Sequence, residues 1–89
     1  MTFEVDVVVT LRAVINDPQG LSVQAGLRSL GFEEVRSARV GKLIELVVEA
    51  DNEASVRSRV TEMAERLLRN PVIEDFRIEA VRVRSAAGA

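Results

Sequence analysis

The chain has 89 residues, twelve of them basic and fourteen acidic, for a formal net charge of −2, and it contains neither cysteine nor histidine. These absences exclude disulfides, thiolate metal sites, a cysteine nucleophile and the commonest general base, and the near-neutral balance provides no electrostatic footprint for a nucleic acid. Three Phe with no Tyr or Trp leave no base-stacking platform, and no apolar run approaches the roughly 18 residues of a membrane span.

Acidic residues interrupt the N-terminus at Glu4 and Asp6, so a signal peptide is not expected and a cytoplasmic location is. The length corresponds to one domain, expected over residues 1–84, with the small residues 85–89 as a disordered tail. Eleven of the twelve basic residues are Arg, Lys42 being the exception; this reads as a compositional bias and not as a site.

Residues 3–12 alternate, with Phe3, Val5, Val7, Val9 and Leu11 on one face and Glu4, Asp6, Val8, Thr10 and Arg12 on the other, the pattern of a half-buried strand. Asp17-Pro18 then supplies an N-cap and a first helical residue that needs no N–H donor. Val23, Leu27 and Leu30 recur at helical spacing up to Gly31, which predicts a helix over 18–30.

Residues 34–50 read as two strands. A continuous strand would place Lys42 on the same face as Ala38, Val40, Ile44, Leu46 and Val48, burying its ammonium. A break at Gly41-Lys42, either a two-residue hairpin turn or a glycine bulge, avoids this.

Residues 52–69 form the clearest helix, with Val56, Val60, Met63 and Leu67 on one stripe, Ala64 and Leu68 beside it, and Asn70-Pro71 as the stop. The last strand spans 72–84. Its alternation slips after Val72, Phe76, Ile78 and Ala80, because Val81 and Val83 are apolar while Arg82 and Arg84 are charged. Either a bulge or frayed end, or an overhang that pairs with another chain, accounts for the slip.

The order strand, helix, strand, strand, helix, strand predicts an α+β fold, a two-layer sandwich with two helices on one face of an antiparallel sheet, in ferredoxin-like order. That architecture decides no function.

A search for chemistry returns little. The serines have no histidine to activate them. The neighbouring carboxylates Glu33-Glu34, Glu49 with Asp51, and Glu74-Asp75 lack the oxygen density and glycine turn of a hard-cation loop. Val40-Gly41-Lys42 resembles the end of a P-loop but lacks its spacing and its following helix. Asp17 would repel an anion from the helix start at Gln19 and Gly20. The strand-to-helix stretch Leu11 to Asn16 has no glycine for an acylphosphatase-type phosphate loop. What remains is a surplus of apolar strand residues with no inward position, Val8, Leu43, Val47, Val81 and Val83, which suggests a surface that meets a partner.

Three stretches taken together resemble one family. They are Asn16-Asp17-Pro18-Gln19-Gly20 with Val23-Gln24, Leu27 and Leu30-Gly31-Phe32; Val35 through Arg39-Val40-Gly41-Lys42 to Glu45-Leu46; and Leu67-Leu68-Arg69-Asn70-Pro71-Val72-Ile73-Glu74-Asp75-Phe76. In this order and at this length they resemble the PurS family, the small component of phosphoribosylformylglycinamidine synthase. Asn16, Ala64, Arg69 and Phe76 depart from the family's usual residues, and none of these changes removes a catalytic group.

The resemblance implies a non-catalytic accessory subunit of purine biosynthesis. It implies a homodimer or dimer of dimers that bridges a PurL-type synthetase and a PurQ-type glutaminase and supports ammonia transfer. It also implies that ATP and Mg²⁺ belong to the PurL-type chain and that this chain holds no cofactor or metal. No catalytic residue carries over. Gln19, Gly20, Arg39, Lys42, Asn70, Glu74 and Asp75 are the candidate partner contacts, each with a local role in capping, turn formation or strand entry as the plainer reading. The rival function is a regulatory domain like the ACT domain, which binds small molecules between paired copies.

Overall fold

The computed structural model describes residues 1–84; the tail expected over 85–89 lies outside the described residues. Strand β1 (Thr2–Leu11) is followed by helix α1 (Pro18–Ser29), strand β2 (Gly41–Glu49), helix α2 (Glu53–Met63) with a π-helical turn over Ala64–Leu68, and strand β3 (Glu74–Val83). The three strands form one antiparallel sheet in the order β2-β1-β3. Placing β1 in the centre follows from its sequence, because its five-fold alternation gives it the longest uninterrupted apolar face.

The core lies between that face and α2. Phe3, Val5, Val7 and Val9 of β1 meet Val56, Val60 and Ala64, and all seven are buried. Each fully buried valine stabilises the fold by about 1.5–3 kcal/mol relative to exposure. Ile44, Leu46 and Val48 from β2 and Phe76, Ile78 and Val81 from β3 close the sides. Asn52 caps α2 by accepting from the Ser55 N–H at 2.8 Å.

The helix expected to run regularly to residue 69 ends instead in the π turn, where the Arg69 N–H reaches back to the Ala64 carbonyl at 3.1 Å. The wider turn takes up an extra residue. Leu68 therefore packs against the core, and Leu67, which the regular stripe placed inside, is 82 % exposed.

The slip in β3 is a bulge. Ile78 stands opposite Val7, but Ala80, not Glu79, stands opposite Asp6, so Glu79 is an extra residue. Beyond it Val81 and Val83 stand opposite Val5 and Phe3 of the same chain. The expected overhang is therefore absent: β3 and β1 are both 10 residues long and pair along their whole length. On the outer face Arg82 donates to both carboxylate oxygens of Asp6, at 3.0 and 3.2 Å. That hydrogen bonding holds the guanidinium above its ordinary pKa.

Of the two strands expected over 34–50, only the second forms. Gly41 has no positive φ and is the first residue of β2, opposite Thr10, so the expected hairpin turn is not made there. Lys42 stands opposite Val9 on the inward side, as the continuous pattern required. Its ammonium stays in solvent because it lies at the end of the sheet, where it faces Glu74. Helix α1 has the predicted Asp17 cap and Pro18 start, and it buries only Gly20. The apolar stripe expected to cover the sheet remains largely in solvent, with Val23 45 % and Leu30 75 % exposed.

Candidate subunit-contact site

The end of β1 and the starts of α1, β2 and β3 meet at one end of the sheet, and all seven nominated contact residues lie there. Asp17 is the buried centre. Its Oδ1 accepts from the Gly20 N–H and its Oδ2 from the Val40 N–H, both at 2.9 Å. These two backbone donors, with the Arg39 guanidinium 3.9 Å away, hold the Asp17 carboxyl below its usual pKa against the opposing effect of burial.

Arg39 works inward as well as outward. Its Nη2 donates to the carbonyls of Leu11 and Arg12 at 2.9 and 3.0 Å, fixing the loop between β1 and α1. Gln19, Lys42 and Glu74 line one shallow cleft of about 260 Å³ together with Val9, Leu11, Val40 and Gly41. Lys42 Nζ lies 4.0 Å from Glu74 Oε2, and Glu74 Oε1 accepts from the Asn70 N–H at 2.8 Å. The Asn70 side chain accepts from the Val72 N–H at 2.9 Å, closing the turn into β3. Asp75 lies between Arg12 Nε at 3.5 Å and Arg69 Nη1 at 3.9 Å.

Gly20 and Asn70 therefore serve the local roles named for them, as the close-approach residue of the cap and as a turn residue. Gln19, Lys42 and Asp75 have side chains free enough to meet another molecule. Sequence reasoning did not nominate Arg12 or Arg69, whose guanidinium groups flank Asp75; Arg69 also lies 5.2 Å from the centre of the Phe76 ring. Nor did it nominate Val14, which is 91 % exposed beside a second cleft lined by Ala13 to Asp17, Leu21 and Ser37 to Arg39. The signal was the run Ala13-Val14-Ile15, three apolar residues in a loop where polar ones are usual.

Among the described residues, no cluster of three or more His, Cys, Asp or Glu is placed to hold a metal ion, and no helix is long and apolar enough to cross a membrane. A sheet end that combines fixed backbone, ion pairs open to solvent and an apolar loop tip matches the composition of a protein-contact surface. Fold and site thus define a small α+β interaction module.

The family model described as PurS, phosphoribosylformylglycinamidine (FGAM) synthase, matches residues 4–82. The chain belongs to the PurS family, the small subunits of that synthase. It is 44 % identical over 82 residues to the PurS subunit of Bacillus subtilis (strain 168), covering 91 % of this chain and 95 % of that one. It is 42 % identical over 78 residues to the PurS subunit of a Synechocystis species, covering 88 % and 78 %. Among solved structures, Thermus thermophilus PurS superposes with a TM-score of 0.87 at 32 % identity, covering 96 % of this chain and all of that one. A chain of PurLQS from Thermotoga maritima superposes with a TM-score of 0.79 at 34 % identity, covering 92 % and 96 %.

Proposed function

We propose that the chain carries out no turnover of its own and acts by holding a PurL-type synthetase and a PurQ-type glutaminase in a productive arrangement that supports ammonia transfer. It does so in the cytoplasm, as a homodimer or dimer of dimers, with ATP and Mg²⁺ on the PurL-type chain. The observation that carries this reading is the likeness to a chain of a solved PurLQS assembly across 92 % of the sequence. The absence of His and Cys from the sequence supports it, because an activated nucleophile of the triad type has no residues here to be built from. The contribution to rate would be one of proximity: two active sites held together raise the local concentration of a diffusing intermediate.

The test is omission. Glutamine-dependent amidine formation by PurL-type plus PurQ-type chains is measured with and without this chain. A sharp fall without it is expected, while ammonia-dependent synthesis by the PurL-type chain persists. Equal glutamine-dependent rates would reject the proposal. The regulatory small-molecule reading is addressed by calorimetry of the purified chain against glutamine and nucleotides, where no tight binding is expected.

A further inference from the structure

Helix α2 packs on the inward face of the sheet, and the outer face carries its own pattern. There the edge strand β2 presents Leu43, Glu45 and Val47 in a row. Leu43 is 55 % and Val47 57 % exposed, and Glu45 is exposed between them. The half-buried Val8 of β1 stands opposite Leu43 and widens the apolar patch.

Glu45 is badly placed for the chain alone. It stands directly opposite Asp6 of β1, and like charges in that position destabilise a sheet. Asp6 is neutralised, because Arg82 donates to both of its oxygens at 3.0 and 3.2 Å. Among the described residues, every other carboxylate in the three strands also lies within 4.0 Å of a cation, and Glu45 does not. A bare carboxylate between two exposed apolar side chains, facing a second carboxylate, weakens the isolated fold. A cation brought by another molecule reverses this. It relieves the repulsion, while Leu43 and Val47 exclude water from the pair and so strengthen the attraction.

We infer that this strip is a docking surface for the PurL-type synthetase, which sets an Arg or Lys with apolar neighbours against Glu45, between Leu43 and Val47. The inference deepens the proposed function and rests on it. Charge complementarity selects the occupant. The PurL-type chain handles polyanions, ATP and a phosphoribosyl substrate, and a protein that draws in polyanions carries a cationic surface towards them. Glutamine, the substrate of the PurQ-type chain, has no net charge and calls for no such field. A second copy of this chain would bring a second bare Glu45 to the contact. The strip also starts beside Lys42, so it continues the sheet-end site onto the outer face, and one partner can meet both.

The signature is a substitution that helps the chain alone and harms the complex. Glu45→Arg turns the like-charge pair with Asp6 into an opposite-charge pair. It is expected to melt at or above the parent temperature, yet to bind the immobilised PurL-type chain at least roughly tenfold more weakly. Glu45→Gln removes the charge without reversing it. It should weaken that binding about threefold and flatten its salt dependence. Leu43→Ser tests the apolar flank and should weaken binding roughly fivefold. For all three variants, binding to the PurQ-type chain and sedimentation of the chain by itself should match the parent.

Unchanged affinity of Glu45→Arg and Leu43→Ser for the PurL-type chain overturns the inference. So does a loss confined to the PurQ-type chain, or a changed mass in sedimentation, since either would give the strip to a different occupant. The two layers separate cleanly. An unaltered chain that binds no PurL-type chain rejects the proposed function and this inference with it. Binding by the unaltered chain that the variants match rejects the strip alone.

Discussion

The carboxylate of Asp17 joins the start of α1 to the residue before β2, accepting from the Gly20 N–H through one oxygen and from the Val40 N–H, 23 residues away, through the other. Most helix caps act only on their own first turn, but this one also fixes where β2 begins. Its two backbone donors favour the ionised form, so the folded pKa lies below the ordinary value of 3.8. The sign follows: a carboxyl depressed in the folded state stabilises the fold fully above its unfolded pKa, and that stabilisation is lost as pH falls through the folded pKa. Asp17→Asn keeps an acceptor oxygen and removes the charge. Denaturant midpoints compared from neutral pH downward should show the variant less stable by a constant margin above about pH 4.5, and the margin should shrink below 3.8. A margin independent of pH through the acid range would show that the charge plays no part.

Gly20 is fixed by the same contact. A Cβ there would meet the Ala38 carbonyl oxygen at 2.3 Å and Asp17 Oδ2 at 2.6 Å, so Gly20→Ala must displace backbone or break the cap and is expected to destabilise by about 1–3 kcal/mol. Gly26, in the same helix, has nothing within 4 Å of the equivalent position. Gly26→Ala should stabilise by about 0.5–1 kcal/mol through lower unfolded-chain entropy. Opposite signs in chemical denaturation are the expected result; a neutral Gly20→Ala would mean that the 38–40 segment is not held against α1.

Much of this was legible in the sequence, and the rest was hidden for identifiable reasons. Strand β1 and the Asp17-Pro18 helix start are local patterns, and local patterns survive folding. The positions of Gln19, Lys42 and Glu74 in one cleft were not derivable from spacing, because they depend on three elements starting at the same end of the sheet. Lys42 misled the reading: an ammonium on an apolar face argued for a turn at Gly41, and the ladder shows that a sheet end solves the same problem without one. Leu67 misled it too, since a single extra residue in a π turn moves the inward position to Leu68 and leaves no mark in composition. Arg12 and Arg69 went unnoticed because an Arg-rich sequence makes any one Arg uninformative.

The exposed Lys42 and the half-buried Glu74 form an ion pair at 4.0 Å open to solvent at the lysine, which contributes about 1 kcal/mol or less to stability. Their value under the proposed function is in contacts with another subunit. Lys42→Glu is expected to leave thermal unfolding nearly unchanged, while Glu74→Lys, which also removes the acceptor of the Asn70 N–H, should lower stability by about 1–2 kcal/mol. Each should raise the concentration of this chain needed for half-maximal glutamine-dependent synthesis roughly five- to tenfold, with a steeper salt dependence. The double exchange, which restores the pair within the chain, should not restore that concentration. Full rescue by the double variant would show that the two residues matter only to each other.

The bulge in β3 makes a further prediction. Phe76 and Ile78 lie on the inward side before it and Val81 after it, so the inward positions have odd spacing and one residue between them is surplus to the ladder. Deleting Glu79 would bring Phe76, Ile78, Val81 and Val83 into regular alternation opposite Val9, Val7, Val5 and Phe3, leaving the pairing of both strand halves as it is. Glu79 makes one surface ion pair, accepting from Arg77 Nε at 2.7 Å, so the deletion removes little else. Stability within about 1 kcal/mol of the parent is expected, with β3 amides protected from exchange along a flatter strand. Deleting Arg82 instead pushes Val83 to the solvent face and removes the guanidinium that binds Asp6, so it should destabilise clearly more. Equal damage from the two deletions would mean that the bend at Glu79 is itself needed to wrap β3 around α2.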